Sequence, residues 1–210
     1  IGGSTIILEE WKDSVPAILF AYYPGMDGGT QIARTLFGET NPGGKLPFVI
    51  PKDPADLPVF NRDALEVEYG YYHGYTKLEK DGITPAFYFG HGLSYTTFDL
   101  RNSAFGSDGT TVIASCTITN TGKVRGDQVV QFYIGFEESA VDRPVKLLKG
   151  FKRIGLEPGE SADVEIIFPL DRLKWYNPDT RGWELEKISY TGYIGSSSNP
   201  AELLEGRFSI

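Results

Sequence analysis

The back half of the chain is written in short apolar–polar alternations separated by turn signals, and this pattern limits its fold more than any other. Thr111–Asn120 alternates and ends in Asn120-Thr121-Gly122. Residues 128–136 place Val129, Gln131 and Tyr133 on one face and Val130, Phe132 and Ile134 on the other. Residues 146–156 lead to Glu157-Pro158-Gly159-Glu160, a turn, and 161–170, 182–190, 191–196 and 206–210 follow. Side chains alternate across a strand, so each stretch offers one face to a core. About seven such stretches in roughly 110 residues predict an antiparallel β-sandwich.

The front of the chain follows another pattern. Residues 15–20, Val-Pro-Ala-Ile-Leu-Phe, form a continuous apolar run that suits a strand covered on both faces in a parallel sheet. After the loop Tyr22-Tyr23-Pro24-Gly25, Asp27 stands as the cap of a helix over 28–37. Ile32, Ala33, Leu36 and Phe37 share its face, and Gly38 fits the left-handed stop. Strand plus helix is half an α/β unit. The large apolar side chains of 1–43, about ten, would contribute roughly 15–30 kcal/mol gross on burial. A whole domain nets only about 5–15 kcal/mol. This segment is therefore expected to be the end of an α/β sandwich domain, with Ile18, Phe20, Ile32 and Phe37 covered by protein outside the chain or by a second copy. Residues 44–95, with Pro47, Pro51, Pro54, Pro58, Pro85 and the tyrosines Tyr69, Tyr71, Tyr72 and Tyr75, read as an irregular wrapping linker. The expected division is 1–95, α/β end plus linker, and 96–210, a sandwich of immunoglobulin-like or fibronectin type III-like kind.

A net charge of −8 over 210 residues repels phosphate backbones and anionic lipid, which argues against nucleic acid and membrane partners. No apolar run approaches the roughly 18 residues of a bilayer span. The one cysteine, Cys116, allows no internal disulfide and sits in a strand pattern, where a buried inert thiol is expected. Ile1-Gly2-Gly3-Ser4 is not a signal peptide and reads as an interior start, which leaves cytoplasmic and secreted or periplasmic locations equally open.

Several segments match one family together: Tyr22-Tyr23-Pro24-Gly25-Met26-Asp27-Gly28-Gly29, Asn41-Pro42-Gly43-Gly44-Lys45-Leu46-Pro47, Ala86 to Phe98 with Phe89-Gly90-His91-Gly92-Leu93-Ser94 inside it, and Val141-Asp142-Arg143-Pro144-Val145-Lys146-Leu147-Leu148-Lys149-Gly150-Phe151. In order and spacing they resemble glycoside hydrolase family 3, over nearly the whole chain. The resemblance implies a retaining, exo-acting β-glycosidase of β-glucosidase kind that hydrolyses terminal β-D-glycosides. It implies no metal and no organic cofactor. It also implies as partners an N-terminal barrel, the other half of the α/β domain, and a β-glycoside substrate, and it admits a homodimer. Such chemistry needs two carboxyl groups flanking the bond. The family's nucleophile is an Asp followed by Trp on the barrel, and its acid/base is a Glu upstream of the Tyr-Pro-Gly region. Neither has a counterpart here, so no catalytic residue is assigned and the chain alone is expected to be inactive.

Other candidates are weighed against plainer readings. Tyr71, Tyr72 and His73 are the candidate substrate-binding residues, a pocket rim whose tyrosines offer apolar faces and hydroxyls to a pyranose. The plainer and favoured alternative is aromatic packing between domains. The match to the family's Gly-Tyr-Arg-Tyr-Tyr segment is partial, because Thr76 replaces its arginine and Tyr69 stands where Glu is common. Glu9 and Glu10 before Trp11 read as a solvated helix face or cap. Asp108 and Glu205 read as a turn residue and a C-terminal surface residue. His91 reads as loop packing, and the two histidines form no metal-spaced cluster. Gly25, Gly28 and Gly29 complete no phosphate-binding pattern. Trp175, Tyr176 and Trp183 read first as core or edge packing, then as a sugar-stacking face. The rival function is a non-catalytic carbohydrate-binding or structural β-sandwich.

Overall fold

Alternation in β2 (Thr111–Asn120) is complete: Val112, Ala114, Cys116, Ile118 and Asn120 are buried and the residues between them are partly exposed. The computed structural model, which describes residues 2–210, pairs β2 with β1 (Phe98–Ser107) and β5 (Ser161–Pro169), both antiparallel. A second sheet runs in the order β4 (Leu147–Leu156), β3 (Gly126–Phe136), β8 (Ser189–Gly195), β9 (Leu203–Ser209). The two sheets enclose one apolar core that includes Val112, Ile118, Val130, Phe132, Ile134, Val164, Phe168, Tyr190 and Ile194. Phe132 lies between Phe105 and Phe168, with ring centroids 5.9 and 5.7 Å away. This is the expected antiparallel sandwich, and Val130, Phe132 and Ile134 occupy the inward face read from the alternation.

β1 was not among the expected strands. A bulge between Arg101 and Ala104, with Asn102 at φ 56°, interrupts its alternation and hides the period from a sequence reading. The expected strand over 182–190 is divided. Its start, β7 (Gly182–Glu184), pairs with β6 (Trp175–Asn177) in a separate hairpin, and its end joins 191–195 in β8. Between them Leu185 and Ile188 turn toward the core, which a continuous strand could not allow.

The expected strand over 15–20 is absent; the run bends at Val15 and Pro16 and pairs with no strand. A parallel strand needs neighbours on which to spend its backbone hydrogen bonds, and among the described residues none is offered. α1 (Gly28–Leu36) forms where expected and stops at Gly38, φ +78°. Asp27 precedes it, but its carboxylate accepts from Gln31 Nε2 at 2.5 Å and not from the helix backbone. Leu36 and Phe37 stay open to solvent, Phe37 at 85% exposure. Phe20 packs edge-on against Phe48 of its own chain at 5.7 Å and stays partly exposed.

The linker is mostly irregular; it holds α2 (Gly74–Lys80), a short 3-10 turn (Pro54–Asp56) and an isolated bridge between Ile50 and Phe87, and part of it packs on the outer face of the second sheet. Gln131 and Tyr133 point away from the sandwich core yet are buried. Tyr75 stacks on Phe89 at 4.9 Å and meets Tyr133 edge-on at 6.2 Å. Tyr133 Oη donates to Gln131 Oε1 (2.5 Å), while Gln131 Nε2 donates to the carbonyls of Gly90 (3.3 Å) and Ser196 (2.6 Å). Gly90 must be glycine here: φ is +80°, and a Cβ would lie 2.2 Å from Gln131 Oε1.

Candidate functional site

Two of the segments that carry the family resemblance meet as a joint. Asn41 Oδ1 accepts from Ser94 Oγ (2.9 Å) and Tyr95 N (2.8 Å), and its Nδ2 donates to the Arg125 carbonyl of the sandwich (2.9 Å). Lys45 Nζ donates to the Gly92 carbonyl at 2.6 Å. Burial lowers the Lys45 pKa, partly opposed by Glu202. His91 packs against Phe87 at 5.2 Å, and burial holds its pKa below the ordinary imidazole value, so the loop-packing reading fits this geometry. These side chains tie Asn41 and the linker to the sandwich through hydrogen bonds that range from exposed to partly buried.

Tyr71, Tyr72 and His73 lie at the entrance to α2, beside the loop between β3 and β4. Tyr72 Oη donates to Asp142 Oδ1 at 2.6 Å, and Lys80 Nζ donates to both Asp142 oxygens (3.3 and 3.1 Å). Lys80 also stands 3.6 Å over the Tyr72 ring, a cation–π contact. Tyr71 meets Tyr72 edge-on at 5.0 Å and remains exposed. His73 is exposed, and its side chain accepts no capping hydrogen bond from the α2 backbone. The structure thus brings Tyr72 into a polar cluster with Asp142 and Lys80, and it leaves Tyr71 and His73 as neighbours without bonded partners in it.

The loop behind this cluster is fastened from below by Glu186, which sequence reading missed. Its carboxylate accepts from Ser139 Oγ (3.0 and 2.9 Å), Ala140 N (2.9 Å), and Arg143 Nε (3.0 Å) and Nη2 (2.8 Å). Burial pushes the Glu186 carboxyl up, but the bonds from Ser139, Ala140 and Arg143 outweigh it and hold the pKa below the usual range. Arg143 stacks on Phe136 at 4.3 Å. A second buried ion pair, Lys146 with Glu79, ties the end of the same loop to α2. Burial raises the Glu79 pKa against the opposing charge of Lys146. The only sequence signal for Glu186 was an acid between apolar residues, Leu185 and Ile188, in a strand-like run.

Glu9, Glu10 and Trp11 border an open cleft of about 480 Å³ with Ile7, Lys52, Asp53 and Pro54. Glu9 sits 3.6 Å from Lys12, ahead of a short 3-10 turn, Lys12–Ser14. Asp108 caps its turn by accepting from Thr110 N (2.8 Å) and Thr111 N (2.6 Å), which holds its carboxyl far below the usual range. Glu205 lies exposed on β9. Trp183 is not in the core: it is 67% exposed on β7, with Tyr176 beside it at 5.7 Å. Among the described residues no group of three His, Cys, Asp or Glu side chains is placed to hold a metal ion.

Residues 1–95 match the family description "Glycosyl hydrolase family 3 C-terminal domain", and 128–198 match "Fibronectin type III-like domain". The chain belongs to glycoside hydrolase family 3. A β-xylosidase of Formosa agariphila is 38% identical over 211 residues, covering 97% of this chain and 28% of its own length. Thermostable β-glucosidase B of Acetivibrio thermocellus is 35% identical over 204 residues, 93% of this chain and 27% of its own. The solved β-glucosidase 3B of Thermotoga neapolitana, in complex with glucose, superposes with a TM-score of 0.91 at 34% identity, over 99% of this chain and 30% of that one. This family 3 chain therefore spans between a quarter and a third of the length of these relatives.

Proposed function

We propose that the chain is the C-terminal portion of a retaining, exo-acting family 3 β-glycosidase of β-glucosidase kind, acting on terminal β-D-glycosides. Its part there is to support the α/β domain and to supply a pocket rim. Residues 1–95 are the α/β end plus linker and 96–210 the sandwich. The observation that carries the reading is an unclosed one: 1–95 match a family 3 domain, yet Val15, Ile18, Leu19, Leu36 and Phe37 remain exposed. Such a face fits cover by the remainder of an α/β domain and by a barrel bearing the two carboxylates. Tyr72, held by Asp142 and Lys80, is the rim residue with a fixed position; Tyr71 and His73 flank it. A chimera tests this: residues 2–210 replace the matching part of the Thermotoga neapolitana enzyme. The chimera is expected to hydrolyse an aryl β-glucoside, and the 210-residue chain alone is expected to show no turnover. Turnover by the chain alone, abolished in Glu9→Gln or Glu10→Gln, would refute the reading.

The domain division has its own test. Residues 96–210 are expected to melt cooperatively by themselves, and 1–95 to aggregate or stay disordered. Residues 44–210 should melt higher than 96–210, because the linker packs Tyr75, itself stacked on Phe89, against Tyr133. Burying two such rings contributes about 3 kcal/mol or more, on the order of 10 °C in midpoint. Equal midpoints, or a monomeric cooperative melt of 1–95, would contradict the division.

A further inference from the structure

A cleft of about 520 Å³ opens between β4, the 3-10 turn Leu170–Leu173 and the β6–β7 hairpin, lined by Leu148, Lys149, Asp171, Arg172, Lys174 and Trp183. Its charge is unbalanced. Lys174 Nζ sits 2.7 Å from Asp171 Oδ1, so that pair closes on itself. The nearby Arg143 is closed by Glu186. Lys149 Nζ donates only to the Arg172 carbonyl, at 3.0 Å, and among the described residues neither Lys149 nor Arg172 engages a carboxylate. Burial, then the charges of Arg143 and Arg172, lower the Lys149 pKa, as expected for a partly buried ammonium near two guanidinium groups. In a chain of net charge −8, two unpaired cations at one opening form a local reversal of field.

The aromatic wall of the cleft is held in place. Asn177 Nδ2 donates to Glu184 Oε1 at 3.0 Å, and Thr180 Oγ1 donates to the same oxygen, which pins the hairpin across its turn. Trp183 pairs with Tyr176 across the strands, edge-on at an interplanar angle of 70°. Successive strand residues point to opposite faces, so the Glu184 charge is turned away from the Trp183 side. The indole is left mostly exposed at the same cleft.

We propose that this cleft is a binding subsite for an acidic sugar unit of a glycan. Trp183 stacks on the apolar face of the pyranose, and Lys149 and Arg172 hold its anionic group. An aromatic plane recognises the C–H face of a sugar, and a guanidinium with an ammonium recognises a carboxylate or a sulfate ester by charge-assisted hydrogen bonds. The subsite is separate from the Tyr72 cluster and needs no catalytic group. It therefore stands or falls independently of the glycosidase reading.

Titration calorimetry on the 210-residue chain tests it with four probes: tetragalacturonate, a sulfate-esterified neutral tetrasaccharide, maltotetraose and AMP. At least one acidic sugar should bind at least tenfold tighter than maltotetraose and AMP. The tighter of the two identifies carboxylate or sulfate as the source. Arg172→Gln and Lys149→Gln, which remove a charge-assisted hydrogen bond, and Trp183→Ala, which removes the stacking face, should each weaken that binding about tenfold or more, about 1.4 kcal/mol. Lys152→Gln, exposed on β4 and outside the cleft, should leave it unchanged. Circular dichroism melts of the variants keep a folding defect separate, because Trp183 and Arg172 are exposed. The proposal is overturned by no acidic-sugar binding, by equal binding of maltotetraose or AMP, or by unchanged affinity in folded Trp183→Ala and Arg172→Gln.

Discussion

Glu186→Ala is expected to lower the stability of the sandwich by about 3–5 kcal/mol, the usual loss when one member of a buried ion pair is removed. The reason is local. Glu186 and Arg143 are about nine-tenths buried, and the same carboxylate also satisfies Ser139 Oγ and Ala140 N. Without it the guanidinium is left against the Phe136 ring with no anion, and the loop leading to Asp142 loses its anchor. Urea or thermal unfolding at neutral pH measures the loss, which corresponds to a midpoint drop on the order of 10 °C for a chain of this length. The pH dependence has a definite sign. The folded Glu186 pKa lies below the unfolded one, so its stabilisation is fully present above the unfolded carboxyl value of about 4.3 and is lost as pH falls through the folded value. The gap between the parent chain and Glu186→Gln should therefore be wide at pH 7 and shrink progressively as the pH falls below about 4. A gap that widens on acidification would mean that the carboxylate is not what holds the loop.

Phe132→Ala should be comparably severe, about 3–5 kcal/mol, through transfer loss plus an unfilled cavity. Phe132 has no exposed surface and lies between Phe105 and Phe168, rings contributed by β1 and β5 of the facing sheet. A methyl group in its place leaves both without a partner, and close packing permits only partial collapse. The internal control is Phe151→Ala. Phe151 is on the neighbouring strand β4 but 67% exposed, and its replacement should change stability by less than about 1 kcal/mol. Denaturant midpoints of the two variants make the comparison. Similar losses would show that the sheet's two faces are not divided as inside and outside.

The contrast between Phe132 and Glu186 shows where the sequence was readable. Phe132 belongs to a period-two alternation, and a strand's period is local information. β2, β3 and β5 were legible for that reason, and β4, which does not alternate, from the turn that follows it; with them came the antiparallel sandwich. Asn41 to Lys45 and Phe89 to Ser94 were legible as family segments, but not as two halves of one joint. β1 was lost because a bulge shifts its side chains between faces. α2 was lost because seven residues of Gly-Tyr-Thr-Lys-Leu-Glu-Lys give a helix too little length for a pattern. The run 15–20 has the composition of a buried strand but finds no strand beside it.

By itself the sequence determined the sandwich class, its inward residues, the helix after Asp27 and the family to which the chain belongs, because periodicity, turn residues and linear motifs are carried by neighbours along the chain. Only the tertiary structure decided the rest. It set Glu186 beneath the Arg143 loop, 43 residues away. It set Gln131 against Gly90, 41 residues away, and Tyr72 against Asp142, 70 residues away. It also left Lys149, Arg172 and Trp183 around one opening. Each of these rests on which surfaces pack together, and a side chain's partner across a sheet or a loop leaves no periodic trace in the chain that carries it.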